Sequence, residues 1–254
     1  MRIVLFGNGN LATRLGLALQ SKHAEIVQVF GRNDIGCAQL AALLNCPYTC
    51  SKEQITPDAD LFLLAVSESA IPEVLEGVSI TRQLVVHTSG SIPMESLIPF
   101  AGNCGVFYPL QTLSAQKAVD FSTVPICIEA NKEENLQMLM ELGNLISDQV
   151  SCVGSNQRRQ LHLAAVFVCN FVNHLYAVGE QLLREQDLSF DLLKPLIRET
   201  AEKAMMFSPA DVQTGPAVRG NVPVLDLHQQ MLVQHPEWQH LYERISHDIS
   251  TFKK

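Results

Sequence analysis

An α/β chain, a doubly wound parallel sheet followed by an all-α part, is predicted by three features. A β-rich apolar run at the N-terminus breaks into glycines, strand and helix patterns then alternate to about residue 152, and after Gly154 strand-like runs cease. The change of texture puts a domain boundary near residue 153, giving a sheet domain over 1–153 and a helical domain over 154–254.

The opening run Arg2-Ile3-Val4-Leu5-Phe6 reads as a strand, and Gly7-Asn8-Gly9-Asn10-Leu11-Ala12 reads as the turn into a helix with Leu15, Ala18 and Leu19 on its apolar face. In a Rossmann-type dinucleotide site Gly7 permits the tight turn, Gly9 lets the backbone approach a diphosphate, and Ala12 lets helix and strand pack closely. The N–H groups of the first helical turn and the positive end of its dipole then face the phosphates. Strands follow at 25–30, 60–66, 84–87, 105–108, 125–128 and 149–152, with helical segments at 37–44, 71–75 and 132–146. The run Leu61-Phe62-Leu63-Leu64-Ala65-Val66 is apolar throughout, as a strand buried on both faces requires. Beyond the boundary, helices are expected at about 156–186, 190–207, 224–234 and 237–252.

Composition excludes several classes. With 47% hydrophobic and 17% charged residues the chain is globular rather than disordered. A formal charge of −8, with Arg158-Arg159 as the densest basic pair, argues against a nucleic-acid surface. Seven scattered cysteines without a CxxC pair read as reduced thiols of a cytoplasmic protein, and no zinc or other metal site is expected. The N-terminal run passes straight into the glycine turn and does not have the form of a signal peptide. The apolar stretch 161–178 is interrupted by His162, Asn170, Asn173 and His174, which argues against a membrane span.

Loops at strand C-termini are where the rest of a nucleotide and its reaction partner belong. After the second strand comes Gly31-Arg32-Asn33-Asp34. Arg32 can pair with a 2′-phosphate and so favours NADP, with Asn33 beside it; Asp34, in a shifted turn, would instead serve NAD. Val66-Ser67 and Thr88-Ser89-Gly90-Ser91 offer hydroxyls and backbone groups for ribose and carboxamide, or simply cap helices and make turns.

The N-terminal half resembles the NADP-binding domain of pyrroline-5-carboxylate reductases, 3-hydroxyisobutyrate-type dehydrogenases and ketopantoate reductases, each of which adds a helical domain. The motifs His87-Thr88-Ser89-Gly90-Ser91, Phe107-Tyr108-Pro109-Leu110-Gln111-Thr112, His162-Leu163-Ala164-Ala165-Val166-Phe167 through Asn170-Phe171, and Gln213 to Gly220 resemble, in that order, a bacterial family of two-domain NADP-dependent oxidoreductases. The helical half of that family is a domain of unknown function. The resemblance spans nearly the whole chain, and implies a fold and a cofactor class but no substrate.

Chemistry is expected on the helix beginning near Asn156. At about 100° per residue, Arg158, His162, Cys169 and Asn173 share one stripe and Asn170 is displaced from it by roughly 80°. Unpartnered polar groups on an apolar helix are costly, so they meet a ligand or another segment. The hydroxyacid dehydrogenases carry a catalytic Lys followed by Asn on the matching helix, and this chain has no Lys there. The residues therefore nominate His162 as proton carrier, Asn170 as substrate-orienting, and Ser89 and Gln111 as carbonyl or carboxylate ligands. The alternative for His162 is a core histidine satisfied by a backbone carbonyl. Arg158, Arg219 in the rigid loop 214–220, and His228 are expected to bind substrate, whereas His235, His240 and His247 read as surface residues.

Two readings of function remain at this point. One is an NADP-dependent oxidoreductase acting on a small carbonyl, hydroxy-acid or imine compound as a homodimer formed through the helical domain. The other is a catalytically silent NADP-binding sensor.

Overall fold

The computed structural model describes residues 1–114 and 116–252. Eight strands form one sheet in the order β3-β2-β1-β4-β5-β6-β7-β8. They are β1 (Arg2–Phe6), β2 (Glu25–Phe30), β3 (Tyr48–Thr49), β4 (Leu61–Leu64), β5 (Leu84–His87), β6 (Cys104–Pro109), β7 (Ile126–Ala130) and β8 (Val150–Cys152). Pairing is parallel except between β6 and β7, which run antiparallel. The order reverses at β1, with β2 on one side and β4 on the other, so the C-terminal ends of β1, β2 and β4 open onto a switch-point crevice.

Side chains alternate across the sheet as the two-residue period dictates. Ile3, Leu5, Leu61 and Leu63 enter the core on one face, and Val4, Phe6, Phe62 and Leu64 enter the core on the other. Helix α1 (Asn10–Ser21) buries Ala12, Leu15, Gly16 and Leu19, spaced along one face, against this sheet. Helix α2 spans Asp34–Leu43 and α3 spans Ile71–Leu75, while α4 (Glu133–Ile146) precedes β8. Helix α2 starts three residues earlier than its apolar pattern suggests because Asn33 caps it, its side chain accepting from the Gly36 N–H.

The last strand ends at Cys152, where the sequence texture changes, but the compact units are Met1–Asn170 and Phe171–Lys254. The first unit therefore includes α5 (Ser155–Ala165), which a π-helical turn (Val166–Phe171) joins to α6 (Val172–Arg184). This continuous helix, Ser155–Arg184, is long and apolar enough by length and composition to cross a membrane. Leu163 and Val168 on its first part, and Leu175 on its second, are exposed. The second unit adds α7 (Lys194–Met206), α8 (Val222–Met231) and α9 (Pro236–Thr251). Within it His235 pairs with Glu185 at 2.9 Å and stacks on Trp238, which gives that histidine a structural place.

Candidate nucleotide cleft and active site

Gly7 has φ +111°, and a Cβ there would lie 2.3 Å from the Ala65 carbonyl oxygen. Its N–H donates to Phe30 at 2.7 Å, so the glycine joins the ends of β1, β2 and β4. Only glycine tolerates both the backbone angle and the contact. Gly9 precedes α1, no side chain caps that helix, and its first turn carries no acidic residue. A Cβ on Gly9 would meet nothing within 4 Å. The turn thus opens directly into a cleft of about 350 Å³ lined by Gly7, Asn8, Gly9, Arg32, Ser67 and Val74, among others. Open backbone amides at an acid-free helix N-terminus suit a diphosphate, so a dinucleotide fits here.

The individual cofactor candidates divide by what their side chains already do. Asn10 donates to the Leu113 carbonyl at 3.4 Å and Leu11 packs against the core, leaving their backbone amides for a ligand. Asn8 is a wedge: its Nδ2 donates to the Asn33 carbonyl at 3.2 Å and contacts Cys37 Sγ at 3.4 Å. It fills the space that a Cβ on Gly36 would need, 2.5 Å away. The Asn8 side chain is therefore committed to holding the glycine turn against the loop after β2, and the Asn33 side chain to capping α2. Arg32 is exposed and its Nη1 pairs with Glu73 at 2.8 Å, leaving the rest of the guanidinium fork for a ligand. Val66 and Ser67 line the cleft. Thr88 is buried with its hydroxyl donating to the Leu64 carbonyl at 2.9 Å, so its side chain clamps β5 to β4 and its proton is already committed.

A second cluster forms where the ends of β4, β5 and β6 meet α5. The Tyr108 hydroxyl lies 3.0 Å from His162 Nδ1, with the rings edge to face. Burial, first of several causes, pushes the Tyr108 phenol above its ordinary value, so it keeps its proton near neutral pH. Gly90 makes the approach possible, because a Cβ there would stand 2.6 Å from His162 Nδ1 and 2.8 Å from the Tyr108 ring. His162 is thus no core histidine satisfied by a backbone carbonyl. Glu68, at the mouth of β4, accepts hydrogen bonds from both Ser89 Oγ and Ser91 Oγ through a single oxygen, Oε1. Burial acts to raise its pKa, but those two hydroxyls and nearby His162 outweigh it and hold the carboxyl below the ordinary range.

Ser89 and Gln111 do not stand as predicted. The Ser89 hydroxyl accepts from Ser91 N–H at 3.0 Å and Ile92 N–H at 3.3 Å, and its only proton goes to Glu68. It shapes the loop and presents the carboxylate. Gln111 is exposed and its Oε1 accepts from the Thr112 N–H at 2.9 Å, turned back on its own loop.

Arg158, expected to bind substrate, is fully buried. Its Nη1 pairs with Glu129, and its Nη2 donates to the Ile92 carbonyl at 2.6 Å and to Ser155 Oγ at 3.2 Å. The guanidinium pins the first turn of α5 to β7 and sets His162 one turn further on. Beneath the same loop lies His87, fully buried, accepting from the Ser89 N–H at 3.2 Å through Nδ1. Burial, then the Arg158 charge, lowers its pKa to about 4.

The π turn alters the angular reading of the helix. One extra residue in the turn sets back everything after it by about 100°, so Asn170 moves to within roughly 20° of the His162 stripe and Cys169 moves off it. Arg219 and His228 belong to the second unit. Arg219 is exposed, while His228 Nδ1 pairs with the Tyr242 hydroxyl at 2.8 Å and so ties α8 to α9. Sequence reasoning missed Glu68, Gly90, Tyr108 and Glu129 as functional or supporting residues, although Gly90 and Tyr108 lie in the motifs already singled out.

The reversed strand order, the glycine turn and the acid-free helix mouth define a Rossmann-type α/β protein. Residues 1–111 match a Rossmann-like domain, and residues 124–249 match DUF2520, a domain of unknown function. The chain is 42% identical to a putative NADP oxidoreductase from Bacteroides fragilis, covering 98% of this chain and 97% of that one with a TM-score of 0.92. It belongs to the family that joins these two domains. A pyrroline-5-carboxylate reductase from Streptococcus pyogenes shares the fold at 14% identity, covering 99% of each chain with a TM-score of 0.65. So does a reductive aminase from Aspergillus terreus, solved with NADPH and ethyl levulinate, at 12% identity, covering 99% of each chain with a TM-score of 0.72. No curated protein matches the chain.

Proposed function

We propose that this protein is an NADP(H)-dependent oxidoreductase moving a hydride between nicotinamide and a small carbonyl, hydroxy-acid or imine compound. The observation that carries the reading is the Tyr108–His162 pair, 3.0 Å apart, at the same strand-end edge as the glycine turn. A nucleotide sensor needs no proton carrier there, whereas a dehydrogenase does.

The cofactor would supply or accept the hydride; the chain's own groups handle binding and protons. Backbone amides of 9–11 hold the diphosphate, and the free edge of Arg32 receives a 2′-phosphate, which favours NADP over NAD. The Tyr108 hydroxyl engages Nδ1 of His162, which leaves Nε2 for the substrate. A protonated His162 gives its Nε2 proton to a substrate heteroatom that gains charge and becomes neutral imidazole, keeping its Nδ1 hydrogen bond to the Tyr108 oxygen throughout. Asn170, brought to the His162 stripe by the π turn, orients the substrate.

The test is NADPH oxidation with a panel of ketones, keto acids and imines, run with His162→Gln. Turnover reduced about 10²- to 10⁴-fold with unchanged NADPH affinity supports the assignment. Tight NADPH binding with no turnover on any compound favours the sensor.

A homodimer is part of the same reading. Leu163, Val168, Leu175, Leu196 and Met205 are exposed apolar side chains on helices, and a second copy would cover such surface. Sedimentation should give about twice the chain mass without detergent. A monomer, or a need for detergent, rejects that arrangement.

A further inference from the structure

Within the reading just given, three substrate classes remain, and the charges around His162 distinguish them. Glu68 Oε1 is saturated by Ser89 and Ser91, while Oε2 makes no hydrogen bond among the described residues. The serines fix the carboxylate rather than neutralise it, since each gives a hydroxyl proton without a formal charge. The permanently charged cation of the cluster, Arg158, is buried and committed to Glu129 and the Ile92 carbonyl, so the group that can set a counter-charge beside Glu68 is His162. His162 Nδ1 is occupied by Tyr108, and His87 is buried and held neutral. Among the described residues the cluster therefore presents a carboxylate with one open acceptor and no permanently charged side chain free to neutralise it.

We propose that Glu68 is the substrate-recognition residue of this site and that it selects a cationic nitrogen, a protonated imine or the amine formed from it, over a carboxylate or a neutral ketone. The proposal rests on the oxidoreductase reading and chooses among its substrate classes. A carboxylate brought beside Glu68 meets like charge, and a ketone oxygen offers no proton to Oε2. A protonated imine offers both charge and an N–H. Its reduction is balanced within the site. Hydride from NADPH bonds to the imine carbon, the C=N π pair becomes the nitrogen lone pair, and NADP⁺ and a neutral amine are left. The amine takes its next proton from solvent or from His162 in its protonated form, which is left as neutral imidazole. Ser89, Ser91 and Gly90 are positioning residues here, holding the carboxylate and the imidazole on one short loop.

The experiment compares wild type with Glu68→Gln, a change of charge at constant shape. NADPH affinity is measured by calorimetry, and NADPH oxidation is followed with 2-methyl-1-pyrroline, cyclopentanone and pyruvate. Binding of pyrrolidinium to the NADPH-loaded protein gives a readout independent of turnover. The expected result is kcat/KM for the imine at least tenfold above the ketone and keto acid. Glu68→Gln then lowers the imine value at least tenfold, raises its KM, abolishes pyrrolidinium binding and leaves the NADPH Kd within twofold. A preference for pyruvate or cyclopentanone, an unchanged imine preference in Glu68→Gln, or NADPH bound without imine turnover or pyrrolidinium binding overturns the proposal. So does a parallel loss of NADPH affinity, which would make Glu68 a cofactor ligand. Failure of wild type to bind NADPH at all would instead remove the reading on which the proposal stands.

Discussion

His162 and Tyr108 can meet at 3.0 Å only because residue 90 has no side chain. A methyl group there would stand 2.6 Å from the imidazole nitrogen. Gly90→Ala should therefore separate the pair and lower turnover at least tenfold, with NADPH affinity unchanged because the glycine turn is untouched. Tyr108→Phe, which keeps the ring and removes only the hydroxyl, should reproduce the loss. Full activity in both variants would remove the pair from the mechanism.

Arg32 is predicted to discriminate between the two nicotinamide coenzymes. Removing a charge-assisted contact with a phosphate costs about 1.5–3 kcal/mol, roughly a 10- to 100-fold loss of affinity. Arg32→Ala should weaken NADPH by that factor and leave NADH within twofold, as read by titration calorimetry. Its partner Glu73 forms an exposed pair that contributes little to stability. Glu73→Gln should leave the denaturation midpoint unchanged.

His87 gives the protein an acid-sensitive limb. Its folded value of about 4 lies below the ordinary 6.5, so the unfolded chain binds more protons between those two values. Stability is then full above pH 6.5, falls as the pH is lowered toward 4, and changes no further through this residue below that. By the conversion of 1.36 kcal/mol per unit the loss is about 3 kcal/mol. Urea denaturation at pH 7, 5.5 and 4.5 should show the slope in wild type and a shallower one in His87→Phe.

Arg158 is expected to matter through architecture rather than by touching a ligand. Truncating one member of a buried ion pair costs about 3–5 kcal/mol because the other charge is left uncompensated. Arg158→Ala should lose that much in denaturant titration, whereas Arg158→Met with Glu129→Leu, which removes both charges, should recover a large part. A double variant no more stable than Arg158→Ala would contradict the assignment.

Gly7→Ala combines a forbidden backbone angle with a backbone collision at Ala65. A loss of about 2 kcal/mol or more is expected together with loss of coenzyme binding. Gly9→Ala has open space for its methyl in the free protein. It should fold normally and still weaken the coenzyme, which separates folding from binding at adjacent glycines.

The strands buried on both faces are legible because Ile3 to Phe6 and Leu61 to Leu64 admit no polar interruption, and the glycine turn is legible because it follows one of them. The direction of β7 is not written in its four apolar residues, Ile126, Cys127, Ile128 and Ala130. Among the described residues no α-helix lies between Pro109 and Ile126, and that is the available clue, since a parallel return needs a crossover. β3 has only two residues, Tyr48 and Thr49, and no apolar run to announce it. In the site, His162 could be nominated from its helix, but Glu68 sits in a Ser-Glu-Ser stretch indistinguishable from an ordinary cap, and only the folded loop brings Ser89 and Ser91 to it. Arg158 misleads because a guanidinium is expected near solvent or ligand, and its half-buried partner lies 29 positions away in sequence. The π turn carries no marker in Val166 to Phe171, so a uniform α-helical projection places Asn170 on the wrong side.

The Asn8 wedge couples two contacts that a dinucleotide would otherwise make separately. Because one amide braces the diphosphate turn against the segment bearing Arg32, strain introduced at either end is transmitted to the other. Coenzyme preference in this chain is consequently a property of a single braced unit. Exchanging Arg32 alone would leave Asn8 packed against Gly31 and Gly36 as before, so redesign of this loop would have to treat positions 8, 31, 32 and 36 together.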